Sequence, residues 1–209
     1  MSVHITYTGG TIGMVDSPRG LVPGADLESW LADLLDGTDL GGQVTLTGLD
    51  PLIDSSNAAP GSWQQIIEDL RTHHADRPAQ GYVVLHGTDT MAYTSAALSY
   101  ALADFDRPVV ITGSQLPLSV VGSDAAPNVT GALRAATSRR AVGVSLFFGH
   151  HLLAGNRATK TSSWAFQGFT SPNAVPLAVT GAPWQWTRPS EAGTGWPHPK
   201  PYERHDVVV

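Results

Sequence analysis

The sequence predicts an α/β protein with an open, mostly parallel sheet flanked by helices. Short apolar runs rich in β-branched residues alternate along the chain with longer segments whose apolar residues recur at helical spacing. Several of these runs end at a glycine that is followed by polar residues, which is typical of strands that stop at a tight turn. Strands that alternate with helices in this way form parallel βαβ units with helices on both faces of the sheet.

Four strands are predicted from the apolar runs. They cover residues 3–8, 81–86, 108–112 and 141–148. Gly9, Gly87 and Gly113 directly follow the first three of them. Because the right-handed crossover rule brings the strand carboxyl ends to one edge of the sheet, we expect the turns at these glycines to meet in one crevice.

Helices are predicted over residues 62–74, 90–103 and 128–139. The first follows Pro60 and Gly61, its apolar residues lie at helical spacing, and Ser62 is the expected N-cap. The second segment is rich in alanine, leucine and tyrosine. These helices complete a single α/β domain over residues 1–170.

The texture of the sequence changes from about residue 171. Residues 171–209 are rich in proline, contain Trp184, Trp186 and Trp196, and show little periodicity. This composition predicts an extended arm or interdomain linker and not a second domain. We expect the three tryptophans to pack over apolar surface of the domain.

Composition excludes several classes of function. The 209 residues include no cysteine, so disulfides, iron–sulfur clusters and a thiol nucleophile are excluded. A formal net charge of −6 argues against nucleic acid as a partner. No apolar run is long enough to span a membrane, and the N-terminus, Met1 to His4, has no basic segment that leads into a long apolar run, so we expect a cytoplasmic protein.

Charge content and motifs bear on partners and cofactors. Charged residues make up 14% of the chain, against about 25% in ordinary soluble domains. This low value favours a surface covered by a partner, and we expect a homo-oligomer. The pairs His73-His74 and His150-His151 lack metal-ligand spacing, and no glycine-rich nucleotide fingerprint is present, so neither a metal nor a cofactor is expected.

Two turns share a design that suits nucleophilic chemistry. In residues 8–11 and 86–90 a strand stops, glycine allows a tight backbone, and a threonine follows. A threonine hydroxyl needs a neighbouring base, and a relay of Thr88, Lys160 and Asp89 is conceivable. Taken singly, each feature has a plainer interpretation, since such turns are usually structural and a loop lysine is usually solvated.

Five ordered segments resemble the bacterial L-asparaginase and glutaminase family, and best its cytoplasmic type I branch. They are YTGGTIGM at residues 7–14, PLIDSSN at 51–57, LHGTDTMAYT at 85–94, ITGSQLP at 111–117 and GNRATK at 155–160. The resemblance covers residues 1 to about 175. It implies the family's N-terminal domain, with a flavodoxin-like or Rossmann-like sheet.

The resemblance also implies a role for each matching residue. Thr11 corresponds to the nucleophile that attacks the side-chain amide of asparagine, or of glutamine, and forms an acyl-enzyme ester. Thr88, Asp89 and Lys160 correspond to a second triad, in which the lysine assists proton removal from Thr88. Asp89 would also receive the α-ammonium of the substrate.

A third group of residues corresponds to the family's clamp for the substrate. Ser55, with Asp54 and Ser56 beside it, would hold the α-carboxylate and the amine. A small zwitterionic amide offers one carboxylate and one ammonium, which hydroxyls and carboxylates can bind. The implied partner is thus a small-molecule amide, and no cofactor is implied.

Two departures from the family pattern affect these expectations. The family has a tyrosine in the segment after the nucleophile, and Leu21 stands at that position here. Loss of a positioned proton-transfer group typically lowers the rate by about 10²- to 10⁴-fold. The sequence also ends at Val209, about where the family's C-terminal domain begins, so a one-domain form and a remnant of a longer chain both stay open.

Three functions therefore compete. The first is hydrolysis of asparagine to aspartate and ammonia through a threonine acyl-enzyme. The second is a specialised deamidase for a larger or different amide, favoured by Leu21 and by the absent second domain. The third is a catalytically impaired amino-acid-binding or regulatory module, against which the retention of Thr11, Thr88, Asp89 and Lys160 speaks.

Overall fold

A computed structural model gives the fold, and it describes residues 2–187. The second part of the predicted arm, with Trp196, lies outside the described residues. Within residues 2–187, twelve strands and four α-helices follow one another. They are β1 Val3–Tyr7, β2 Met14–Ser17, β3 Gly20–Pro23, α1 Leu27–Leu35, β4 Val44–Gly48, α2 Pro60–Asp76, β5 Gly81–Leu85, α3 Met91–Ala101, β6 Val109–Thr112, α4 Ala125–Thr137, β7 Val144–Phe148, β8 His151–Ala154, β9 Thr159–Lys160, β10 Phe169–Thr170, β11 Ala178–Val179 and β12 Gln185–Trp186.

Eight strands form one mostly parallel sheet. Their order is β12-β11-β8-β7-β6-β5-β1-β4. Strands β4, β1, β5, β6 and β7 run parallel to one another. Next to them, β8 pairs antiparallel with β7, β11 with β8, and β12 with β11. The chain leaves β1 toward β4 on one side and later returns to place β5 on the other side. The gap between the carboxyl ends of β1 and β5 is therefore the switch point at which open α/β sheets bind ligands.

Helices cover both faces of the sheet, as the sequence predicts. On one face α1 and α4 pack against inward side chains such as Ile5, Val83 and Phe147. On the other face α2 and α3 pack against Val84 and Ile111, among others. The central strands are buried on both sides because each face has its own apolar layer, which accounts for their continuous apolar runs.

The predicted helices and strands are present, with shifted ends. The predicted N-cap of the first helix is wrong: α2 begins at Pro60, with Ala59 as the cap residue. Ser62 lies one turn inside the helix, where its hydroxyl accepts the backbone N–H of Ala59 at 3.2 Å. Proline at the first helical position needs no N–H partner, so the helix can start earlier than the serine suggests.

Several elements were not predicted from the sequence. The hairpin of β2 and β3, the helix α1 and the strand β4 all lie between the first two predicted strands. The strand β4 is at the sheet edge, and its Thr45 and Thr47 side chains are exposed. Only one face of this strand is apolar, so it lacks the continuous apolar run that marks the central strands. None of the helices found within residues 2–187 has the length and apolar character that crossing a bilayer requires.

The first part of the predicted arm packs onto the sheet. Beyond residue 170, β11 pairs with β8 and β12 pairs with β11. The Trp184 ring stacks on Phe147 at 5.7 Å between centroids, and Trp186 stacks on Trp184 at 5.9 Å. Arg140 lies over the Trp186 ring at 4.9 Å. The arm thus extends the sheet up to residue 187, and the domain boundary at residue 170 stays a prediction.

The stacked tryptophan gives a stability prediction for this segment. We expect Trp184→Ala to lower the free energy of unfolding by roughly 1–3 kcal/mol, because a half-buried ring loses its contact with Phe147. The matched control is Trp164→Ala, since that side chain is 84% exposed. Its change should stay within about 0.5 kcal/mol. Equal denaturation midpoints for the two variants would show that the segment adds nothing to the domain.

Candidate active site

Three turns meet at the carboxyl edge of the central strands. They follow β1, β5 and β6 at residues 8–11, 86–90 and 113–116. The strands are in register, with Tyr7 opposite Leu85 and Leu85 opposite Thr112, so the turns start at the same level of the sheet. Parallel pairing therefore brings segments about 80 residues apart in sequence into one crevice, as the sequence predicts.

The turn after β1 is shaped by two glycines with positive φ. Gly9 has φ +122° and Gly10 has φ +94°, a region that other residues rarely adopt. A side chain on Gly10 would collide with the backbone of Gly87. The two glycine turns are therefore in direct backbone contact, and Thr11 follows in a short 3-10 turn beside this contact.

The predicted nucleophile and the predicted triad line one cavity. Its volume is about 290 Å³. The residues around it are Gly10, Thr11, Met14, Asp54, Ser55, Gly87, Thr88, Asp89, Gln115, Lys160 and Ser163. Thr11 is half-buried there, and its hydroxyl makes no hydrogen bond to another described residue. Thr11 and the Thr88 group thus line the same cavity.

Lys160 joins the second threonine to the aspartate. Its Nζ donates to Thr88 Oγ1 and to Asp89 Oδ1, each at 2.9 Å. The lysine side chain is 19% exposed, whereas that of Asp89 is 60% exposed. Strand β9 places Lys160 opposite the β5 turn, so a residue from outside the main sheet completes the group. Asp89 keeps its second oxygen for other partners, since the structure gives only Oδ1 to the lysine.

The segment before α2 brings a buried serine to the cavity. Ser55 is 6% exposed, and its carbonyl accepts the Thr90 hydroxyl at 2.7 Å, which ties this segment to the β5 turn. Asp54 also lines the cavity, but its carboxylate is occupied. Oδ1 accepts the backbone N–H and the hydroxyl of Ser56 at 3.0 and 2.7 Å, and Oδ2 accepts Asn57 Nδ2 at 2.8 Å. The bonds from Ser56 lower the pKa of Asp54.

One predicted clamp residue lies outside the lining. The hydroxyl of Ser56 donates to Asp54 and does not reach the cavity. A carboxylate that starts a short 3-10 turn needs donors, and Ser56 is the nearest residue that can supply two. Ser56 therefore shapes the turn that presents Ser55.

Gln115 and Ser163 line the cavity although sequence reasoning did not assign them a role. The Gln115 turn is fixed by Asp124, a buried carboxylate whose oxygens accept the backbone N–H of Gln115 at 3.0 and 2.9 Å. The Gln115 side chain in turn donates to the carbonyl of Ala165 at 3.0 Å, which holds the loop that carries Ser163. In the sequence, the polar turn after the third predicted strand points to Gln115, whereas no sequence feature points to Ser163.

The departure predicted at Leu21 falls on the β2–β3 hairpin. Leu21 lies on β3, opposite Asp16, and is 50% exposed on the β2–β3 hairpin. Among residues 2–187, no tyrosine lines the cavity. The tyrosine beside the nucleophile turn is Tyr7, whose buried hydroxyl lies against Gly13 and has no hydrogen-bond partner in the described part of the chain. Burial raises the pKa of Tyr7.

The paired histidines lie away from this cavity. His73 stacks on His4 at 3.5 Å, and His74 contacts the Tyr82 hydroxyl at 2.9 Å. His150 contacts the Thr180 hydroxyl at 3.0 Å. Within residues 2–187, histidines and carboxylates form no group of three that could hold a metal ion.

The fold and the cavity together define a class, that of open α/β proteins with a polar site for a small molecule at the switch point of the sheet. Within that class the chain belongs to the asparaginase family, since the family model described as "Asparaginase, N-terminal" matches residues 2–191.

Individual relatives agree with this membership. The chain is 42% identical over 182 residues to L-asparaginase 1 of Escherichia coli (strain K12), covering 86% of this chain and 53% of that protein. It is 38% identical over 198 residues to the 60 kDa lysophospholipase of Mus musculus, covering 84% of this chain and 35% of that protein.

A solved structure, L-asparaginase I from Vibrio cholerae, superposes with a TM-score of 0.81 at 36% identity, over 93% of this chain and 59% of that one. The chain thus spans about half the length of the bacterial relatives it matches.

The glycine contact yields a prediction for the site. Gly87→Ala places a methyl group against the Ser55 side chain, so we expect it to separate the turns and to abolish ligand binding in the cavity with a loss of stability of roughly 1–3 kcal/mol. Gly61→Ala is the control, because nothing lies within 4 Å of a side chain at that helical position. It should be neutral or stabilising by up to about 1 kcal/mol. Calorimetric titration with aspartate and thermal melts measure both effects, and an unaffected Gly87→Ala variant would contradict the packing described.

Proposed function

We propose that the protein hydrolyses the side-chain amide of L-asparagine to L-aspartate and ammonia through an acyl-enzyme on Thr11. The observation that carries the proposal is the cavity shared by Thr11 and by Thr88, with Lys160 Nζ at 2.9 Å from both Thr88 Oγ1 and Asp89 Oδ1. Membership of the asparaginase family supports the same chemistry.

The lining suits a small zwitterionic amide. Asp89 is exposed and keeps one carboxylate oxygen for the α-ammonium group of the substrate. Ser55 also lines this cavity, and its hydroxyl can donate to the α-carboxylate. Asp54 and Ser56 act through the shape of the turn, because they bond to each other. Binding both charged groups leaves the side-chain amide between the two threonines.

The reaction then has two steps. Thr11 Oγ1 attacks the amide carbon, its proton passes to the amide nitrogen, and the C–N bond breaks to release ammonia and leave an ester on Thr11. A water molecule attacks the ester carbon, its proton returns to Thr11 Oγ1, and aspartate leaves. The hydrogen bond between Thr88 and Lys160 is a path for a proton during these steps. Backbone N–H groups of the glycine turns can stabilise the oxyanion.

Further properties belong to the same proposal. The chemistry needs neither a metal nor an organic cofactor, since the nucleophile and the proton path are side chains. We propose a homo-oligomer in the cytoplasm, on the grounds of the low charge content and the resemblance to type I relatives. Sedimentation equilibrium of the purified chain tests the oligomeric state.

Removal of the nucleophile tests the acyl-enzyme. The wild-type protein should release ammonia from asparagine, and Thr11→Val should lower kcat by about 10³-fold or more, because the isosteric side chain has no hydroxyl. Thr11→Ser keeps a nucleophile and is the matched control, with activity between the two. A coupled ammonia assay measures the rates, and melting curves check the fold. Full activity of Thr11→Val would overturn the assignment.

A double-mutant cycle tests the proton path. Lys160→Met and Thr88→Val should each lower kcat by about 10²- to 10⁴-fold. The double variant should lose no more than the larger single loss, since two groups that act as one unit are not additive. Additive losses in log kcat would mean that the 2.9 Å hydrogen bond plays no part in the chemistry.

A second candidate is hydrolysis of a larger amide. A neighbouring cavity of about 580 Å³ shares Asp89, Lys160 and Ser163 with the first, so a longer amide bound at Thr11 has room to extend. In the same ammonia assay, turnover of an asparagine-containing peptide with no turnover of free asparagine favours this candidate. Binding of asparagine without turnover of any amide favours the binding module instead.

A further inference from the structure

A buried histidine lies directly behind the cavity and takes no part in its lining. His86 follows β5, precedes Gly87, and is 1% exposed. The mechanism proposed above does not use it. Burial lowers the pKa of His86, so its ring is neutral around neutral pH. A buried neutral imidazole must satisfy one donor and one acceptor, and the partners of His86 decide which nitrogen carries the proton.

Three successive hydrogen bonds connect helices α2 and α3, through His86, to the Gly87 carbonyl. Trp63 Nε1 donates to Thr94 Oγ1 at 3.0 Å. Thr94 Oγ1 lies 3.0 Å from His86 Nε2, and His86 Nδ1 lies 2.7 Å from the carbonyl oxygen of Gly87. This series of hydrogen bonds therefore runs from helix α2 through helix α3 to the β5 turn.

The chemistry of the two end groups, the Trp63 indole and the Gly87 carbonyl, fixes which partner donates in each hydrogen bond. An indole N–H can only donate, and a carbonyl oxygen can only accept. The Thr94 hydroxyl accepts a hydrogen bond from the indole N–H and donates one to His86 Nε2. His86 therefore carries its proton on Nδ1 and donates a hydrogen bond to the Gly87 carbonyl. Each hydrogen bond polarises the next.

Gly87 is the point at which the segments of the cavity touch. Its backbone packs against Gly10, which precedes Thr11, and its α-carbon faces the Ser55 side chain. Thr88 follows it in the chain. A small rotation of the Gly87 peptide therefore changes the spacing of Thr11, Ser55 and Thr88 together.

We propose that His86 is a positioning residue, which as the neutral Nδ1–H tautomer holds the Gly87 carbonyl and thereby sets the spacing of the two threonine hydroxyls. The inference rests on the proposed function for its effect on rate, and on the hydrogen-bond chain for its structural part. A misplacement of about 1 Å at reacting groups lowers a rate by about 10²-fold.

Two substitutions test the hydrogen bonds of the two ring nitrogens separately. His86→Asn places an amide near the position of Nδ1 and can still donate to Gly87. His86→Gln reaches toward the position of Nε2 and loses the bond to Gly87. If the bond to Gly87 matters, kcat for ammonia release falls by about 10²-fold in the glutamine variant and recovers to within about tenfold of wild type in the asparagine variant. Equal kcat losses in the two variants, following their melting temperatures, would reduce His86 to a core residue and overturn the proposal.

Nuclear magnetic resonance tests the structural part without any turnover. In the wild-type protein, the ¹⁵N shifts of His86 should show a protonated Nδ1 and an unprotonated Nε2. The amide resonances of Gly10, Thr11 and Thr88 should shift in His86→Gln and return in His86→Asn. The opposite tautomer, or unchanged amide resonances, would overturn the inference.

Failure of the proposed function gives a different result. In that case the wild-type protein releases no ammonia, while the tautomer and the amide shifts still decide the role of His86. If wild-type protein is active and His86→Gln keeps the same kcat, only the inference about His86 fails.

Discussion

The backbone contact between Gly10 and Gly87 is the constraint on which the candidate site depends. The carboxyl ends of β1 and β5 lie side by side, and each strand is followed by a turn that carries a threonine. Any side chain at Gly10 would push the turns apart, so the two threonines can share one cavity only because these positions are glycine. The packed central strands behind the turns, buried on both faces, make the contact rigid.

The rest of the site is assembled around that contact by polar groups that are themselves held in place. Ser55 is tied to the β5 turn by Thr90, and the Gln115 turn is tied to the buried carboxylate of Asp124. Lys160 comes from a two-stranded ribbon outside the main sheet and is oriented by Thr88 and Asp89. Ser55, Gln115 and Lys160 are thus each held by a partner from another part of the chain, which is how preorganised sites keep their geometry.

Under the proposed mechanism, the departure at Leu21 bears on activation of Thr11. Leu21 itself carries no hydroxyl, and the Thr11 hydroxyl has no hydrogen-bond partner in the described part of the chain. We therefore propose the Thr88–Lys160 pair in the lining as the proton-transfer group. The chain spans 53% of L-asparaginase 1 of Escherichia coli and 59% of the Vibrio cholerae structure.

The sequence by itself determined the α/β class, the central strands and the meeting of the glycine turns, because these follow from apolar periodicity and from the rule for parallel connections. Motif resemblance added Thr11, Thr88, Asp89 and Lys160. Local patterns did not reveal the edge strand β4 or the true start of α2, since a half-exposed strand and a proline-led helix carry weak signals. Only the tertiary structure decided that Ser56 bonds to Asp54, that Ser163 lines the cavity, and that His86 contacts Gly87 through Nδ1. Such facts depend on distances between segments far apart in sequence, which packing sets and a local pattern does not encode.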